Sequence, residues 1–314
     1  MTPGYKRFDH FLSQLESLMQ DAALTDNPAL HLYSNDARSI LFRLEALGRI
    51  YAEIHNANRF SKLTARFKLL EDLLGDIDHY DTFLKASRDK NNDDSAYFNE
   101  RMQEGIISLN RLLDDDGWLS GKRSRKIRKK LEDADWKSPE AESRKVREVY
   151  SDEIIKIRKF YNDCSKPFTD IEEEVHELRR DLRWLSIYPH ALLDLFILKD
   201  DPVAVSDPTI ETGPELRNSP FLVLPETDTS YPIHINKENF VLLSWIIGRL
   251  GDLKDVALAI FAEKEAKEGN VPTAFILAPG EKDHDKLSGI LGEATTACER
   301  YFSGRSLENL LCKW

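Results

Sequence analysis

The 314-residue chain carries 44 Lys/Arg against 55 Asp/Glu, a net charge of -11, with 41% hydrophobic and 32% charged residues and a mean hydropathy of -0.48. That is enough apolar matter for one large or two ordinary domains under a heavily charged surface, and the acidic balance disfavours nucleic acid as a partner. No apolar run nears the roughly 20 residues of a membrane helix, the longest, Phe240 to Ile247, being broken by Ser244. The opening MTPGYKRFDHFLSQL lacks the apolar core of a secretory signal, and Cys164, Cys298 and Cys312 show no CxxC spacing. These features point to a reducing, cytoplasmic setting.

Helical periodicity dominates the chain. Residues 5–20 place Phe8, Phe11, Leu12, Leu15, Leu18 and Met19 on one face. Asn35 or Asp36 can cap a second helix with the stripe Ala37, Ile40, Leu41, Leu44, Leu47, Tyr51 and Ile54, and Leu63, Phe67, Leu70 and Leu74 continue the pattern. A polar break at 88–96 precedes a helix over 97–114; charged helices follow over 122–134 and 140–163. The spacing predicts a long helix over 168–198, kinked or divided by Pro189. Six prolines then punctuate 200–238, where Phe221–Leu224 and Tyr231–Ile235 read as a small β-hairpin or extended arm near 200–236. Helices are expected again over 237–267, 283–303 and 305–312, and 271–278 fits either strand or helix. The chain is expected to form a first bundle, 1–165, and a second, 166–314, with the arm inserted in the second.

The halves resemble each other. Arg38 opens a leucine stripe followed by Leu73-Leu-Gly-Asp-Ile77, and Arg179 opens one followed by Arg249-Leu-Gly-Asp-Leu253. Aligning Arg38 with Arg179 gives an offset of 141, and Gly75 with Gly251 gives 176. The difference of 35 residues is the size of the proline-rich arm, so one insertion into a duplicated unit reconciles the two. The expected fold is all-α: two similar antiparallel bundles related by a pseudo-twofold repeat.

Chemistry is concentrated in IEEEVHELRRDLRWLSIYPH, residues 171–190. His176, Arg179, Arg180 and Arg183 fall at i, i+3, i+4 and i+7, one stripe beside the core seam. Guanidinium groups hold phosphate or carboxylate oxygens through paired hydrogen bonds. Equally, Glu172, Glu173, Glu174, Glu177 and Asp181 in the same stretch can turn the row into a solvated, self-paired face. A second basic element, Lys122, Arg123, Arg125, Lys126, Arg128, Lys129 and Lys130, suits polyphosphate, RNA or the Asp114–Asp116 run, or is a solvated face paired with Glu132, Asp133 and Asp135. Asp76, Asp78 and Asp81 around His79 suit either a metal or an acidic helix start. No Walker A loop, GxGxxG, HExxH or GxSxG occurs, so neither an enzyme nor a cofactor is expected.

The row His176, Arg179, Arg183, followed by Leu250, Gly251 and Asp255, resembles the CHAD family, the conserved histidine α-helical domain. Asn35, Arg38 and Leu74-Gly75 form a weaker first-half version. The resemblance spans about 5–310 and implies two similar helical bundles and binding of inorganic polyphosphate through a basic cleft between them. On that reading Arg38, Arg43, His176, Arg179, Arg180 and Arg183 bind polyphosphate or another extended anion. The chain departs from the family pattern at Asn35, where a histidine is expected, at Phe42, and at Ser186-Ile187, where a basic dipeptide is expected. The alternative is a helical scaffold that has lost anion binding and meets a protein partner, or its own copy, through 200–236.

Overall fold

The computed structural model describes residues 2–89, 94–200, 210, 212–227, 229–269 and 275–312. The described chain is mostly helical, with one two-stranded sheet. It forms two compact units, Met1–Glu142 and Ser143–Trp314. The division falls within a helix rather than between residues 165 and 166. None of the described helices is long and apolar enough to cross a membrane.

The first unit contains α1 (Pro3–Ala22), α2 (Pro28–Ser34), α3 (Ala37–Ile54), α4 (Ala57–Asp89), α5 (Ser95–Asp115), α6 (Lys122–Glu132) and the first turn of α7 (Pro139–Asp163). Its core contains most of the stripes predicted from spacing, with Leu18 and Ile40 only half-buried and Phe60 added. Phe8, Phe11, Leu12 and Leu15 of α1 are buried with Leu41, Leu44, Leu47 and Tyr51 of α3 and with Phe60, Leu63, Phe67, Leu70 and Leu74 of α4. Asp36 occupies the N-cap position of α3 in the left-handed region, but its carboxylate accepts from the Ser39 hydroxyl instead of a backbone N–H. The polar break at 88–96 lies partly outside the described residues, and α4 and α5 close on it from either side.

The second unit departs from expectation between 168 and 198. Ile171–His176 forms a π-helical turn, with Asp170 accepting from the N–H groups of Glu172 and Glu173. It runs into α8 (Glu177–Ala191). Pro189 does not divide α8 midway; it sits in the last turn, and the helix stops two residues later. Proline lacks the N–H that would satisfy the Leu185 carbonyl four residues back. The buried Tyr150 hydroxyl of α7 donates to that carbonyl at 2.7 Å, closing the gap from a neighbouring helix. Leu193 then takes a positive φ of 45°, which turns the chain out of helix.

The chain continues into β1 (Phe196–Lys199), a strand where helix was expected. Its partner is β2 (Ile233–Asn236), paired parallel with Phe196 opposite Ile233 and Lys199 opposite Asn236. The hairpin expectation is therefore corrected, because a hairpin requires antiparallel strands. Phe221–Leu224 is not a strand either: Ser219 caps a 3-10 turn over Pro220–Leu222 and accepts from the Phe221 N–H, leaving Phe221 and Val223 exposed. A one-turn helix α9 (Pro214–Arg217) precedes it; residues 201–209, 211 and 228 of the arm lie outside the described set.

After β2 come α10 (Lys237–Glu268) and α11 (His284–Ser303). Of the ambiguous segment 271–278, residues 271–274 lie outside the described set, and Phe275 packs edge-on against Phe261 of α10. The helix expected over 305–312 is absent. Arg305 adopts a φ of 54°, and the chain turns back to run beside β2. There Leu311 bridges Ile235, the Asn236 N–H donates to the Leu310 carbonyl at 2.8 Å and the Cys312 N–H to the His234 carbonyl at 3.0 Å. This tail covers one edge of a strand pair too short to stand alone.

Candidate functional site

The predicted site residues lie in both units and are placed differently in each. In the first, Arg38 projects from the first turn of α3 onto α4. Its Nε donates to Glu71 Oε1 at 2.6 Å and its Nη1 to Asp78 Oδ2 at 3.1 Å. The guanidinium lies against the backbone of Gly75, where a methyl group would meet Nη2 at 2.8 Å and Cζ at 3.2 Å. A side chain at position 75 would push the guanidinium aside. Arg43 does not join it. Five residues on, a helix has turned about 140°, so Arg43 leaves that face and stacks over the Phe11 ring of α1, 5.7 Å from its centroid. Asn35 is exposed, its side-chain amide donating back to the His31 carbonyl.

Around Arg38 the charges neutralise one another. Tyr33 donates to Asp81 at 2.7 Å, and Lys85 pairs with the same carboxylate at 2.6 Å. Burial raises the Tyr33 hydroxyl pKa, reinforced by its bonds to Asp81 and Asp78. Asp78 and Asp81 are thus occupied by Arg38, Tyr33 and Lys85, and His79 packs edge-on against Tyr80 and Phe83. Among the described residues no group of three or more His, Cys, Asp or Glu is arranged to hold a metal ion.

In the second unit, Arg179 projects from α8 onto α10. Its guanidinium lies against Gly251, where a methyl group would meet Nε at 3.0 Å and Nη2 at 3.1 Å. Nε donates to the Ile247 carbonyl at 3.1 Å. No carboxylate of the described residues forms an ion pair with Arg179; Asp255 and Asp252 act on it only at longer range, and burial lowers its pKa. Its two Nη groups make no hydrogen bond to a described residue. The offset of 176 that aligns Gly75 with Gly251 places Ile247 opposite Glu71. Where the first unit offers Arg38 a carboxylate, the second offers Arg179 a backbone carbonyl.

The rest of the row is tied. His176 closes the π-helical turn, its Nδ1 3.1 Å from Glu172 Oε2. Burial pushes the Glu172 carboxyl up, but the hydrogen bond and charge of His176, with Lys254 and Arg180 nearby, hold it below the usual carboxylate range. Arg180 is exposed and bonded to Glu177. Arg183 is half-buried and has an interaction of its own. Lys254, which the sequence reading did not single out, brings a cation to this site from α10 and pairs with Asp255 at 3.2 Å. Arg179 thus forms no ion pair with a described residue, whereas His176 and Arg180 do. No family model, curated protein or solved structure matches the chain.

Proposed function

We propose that the chain is a binding module, built from two antiparallel helical units that arose by duplication, and that its second unit holds phosphate groups of an extended anion such as inorganic polyphosphate. The CHAD-like reading is supported by one recurrent contact. In each unit an arginine near the start of one helix lies flat on the glycine of an L-G-D element in the next long helix. Antiparallel packing within the first unit is supported by Arg38 meeting residues 71–78 of α4 while Gly48, later in α3, meets Thr64, earlier in α4.

The observation that carries the ligand assignment is the unequal pairing of the two arginines. Arg38 is neutralised by Glu71 and Asp78; Arg179 is held by a carbonyl and keeps its Nη donors. A half-buried guanidinium with unused paired donors suits a phosphate oxygen pair. Arg180 and Lys254 supply further cations in the same unit. The expected result is calorimetric binding of long-chain polyphosphate at about 0.1 M salt, where contacts closer than a Debye length survive screening. Arg179→Ala should weaken that binding at least tenfold. Failure of the wild-type chain to bind, or an Arg179→Ala variant binding as tightly, would reject the assignment.

A further inference from the structure

The basic segment 122–130 is sorted by its helix into two kinds of cation. Ser124, Ile127 and Leu131 face inward and are buried, fixing the rotation of α6. Arg123 and Arg128 lie on its flanks and are tied down: Arg123 to Asp116 at 2.7 Å, Arg128 to Asp9 at 2.8 Å, to Ser13 at 2.9 Å and to Glu16. The other five, Lys122, Arg125, Lys126, Lys129 and Lys130, are exposed. Among the described residues none of the five has a carboxylate partner; Glu132, Asp133 and Asp135, expected to pair with them, do not, and Arg125 donates only to the Ser120 carbonyl.

At about 100° per residue these five spread over roughly 140° of the outer surface, with Arg125 at one margin, Lys130 at the other and Lys122, Lys126 and Lys129 along the crest. A flat anionic surface or a single anionic thread meets a crest but not both margins. A groove walled by two rows of phosphates meets all three. The B-form major groove is about 12 Å wide, matching a helix with its side chains, about 10–12 Å across. The A-form major groove is too narrow to admit one. No exposed apolar or aromatic side chain lies on α6 to enter a bilayer or stack on a base. The excess of lysine gives point charges without bidentate base recognition. We propose that α6 is a sequence-independent docking element for the major groove of duplex DNA, contacting phosphates on both walls. The chain-wide acidity that argues against nucleic acid does not describe this face, whose five exposed cations have no carboxylate partner among the described residues.

The test is fluorescence anisotropy of the full chain with a labelled duplex DNA of about 20 base pairs, from about 50 to 200 mM salt. The expected slope of log affinity against log salt is about -4, for four to five phosphate contacts. Combining Lys122→Gln, Lys126→Gln, Lys129→Gln and Lys130→Gln should lower affinity at least tenfold and flatten the slope toward -1. Its melting temperature should hold, since Arg123, Arg128 and the buried residues remain; if it falls, the pair Lys126→Gln and Lys130→Gln provides the same comparison. Absence of wild-type binding at the lowest salt, or undiminished variant binding, overturns the proposal. Equal affinity for duplex RNA, single-stranded DNA or polyphosphate, lost in the same variant, overturns the groove assignment, as does equally sensitive binding to vesicles containing phosphatidylserine. Arg179→Ala should leave DNA binding unchanged, which separates this surface from the site in the second unit.

Discussion

Replacing Glu142 with glutamine is expected to cost about 3–5 kcal/mol of folding stability, the range for breaking a buried ion pair by removing one partner. Arg7 of α1 and Glu142 in the first turn of α7 have side chains only 3% and 2% exposed, and Arg7 Nη1 donates to Glu142 Oε2 at 2.7 Å. The Tyr51 hydroxyl completes the arrangement, accepting from Arg7 at 2.9 Å and donating to Glu142 Oε1 at 2.6 Å. Burial holds the Tyr51 hydroxyl protonated far above its ordinary range. Phe8, Phe60 and Trp136 surround it, with ring centroids 5.2–5.6 Å from that of Tyr51. The amide of Glu142→Gln keeps the shape but removes the buried negative charge that Arg7 meets at 2.7 Å. Adding Arg7→Met in that background should cost little more, because it removes the guanidinium that faces the amide. Urea unfolding of the two variants checks this; a single variant within about 1 kcal/mol of wild type would show that the pair carries no such weight.

The second large effect has the opposite sign. Glu45 of α3 is 3% exposed, and burial pushes its carboxyl up to about 7, with Glu71 and Asp72 adding to the rise and Arg49 and Lys68 opposing it. Below pH 4.5 the carboxyl is protonated in folded and unfolded chains alike, and its contribution to stability is intact. As pH rises toward 7 the unfolded chain releases the proton while the folded chain keeps it, so stability falls. A rise from 4.5 to about 7 corresponds to about 3 kcal/mol. Glu45→Gln should therefore match wild type near pH 4 and exceed it by about 3 kcal/mol at pH 8. Melting curves across that interval would contradict the account if the difference were independent of pH.

The long-range features of the fold were the hardest to read from sequence. Stripes such as Phe8, Phe11, Leu12 and Leu15 report a helix because their partners lie three and four residues away. β1 consists of only four residues, Phe196–Lys199, whose parallel partner begins 37 residues later, so no local pattern marks it. The Arg7–Tyr51–Glu142 arrangement joins positions 44 and 135 residues apart along the chain. Alignment of the halves paired Arg38 with Arg179 and Gly75 with Gly251, but it did not announce that each arginine lies against the glycine of its own unit. It did not reveal that Glu71 answers one arginine while Ile247 leaves the other to a carbonyl. A helical stripe also overstates a binding row. His176, Arg179, Arg180 and Arg183 share spacing, but Glu172 and Glu177 engage two of them, and local acidic residues compete for a cation before any ligand does.

On the proposed reading, Arg179 binds phosphate because its unit lacks the carboxylate that Glu71 supplies to Arg38. Ile247→Glu installs that carboxylate. Calorimetric titration of this variant with long-chain polyphosphate at about 0.1 M salt should show affinity reduced at least tenfold, with the melting temperature unchanged or raised as Arg179 gains a partner. Wild-type affinity in a folded Ile247→Glu variant would contradict the account.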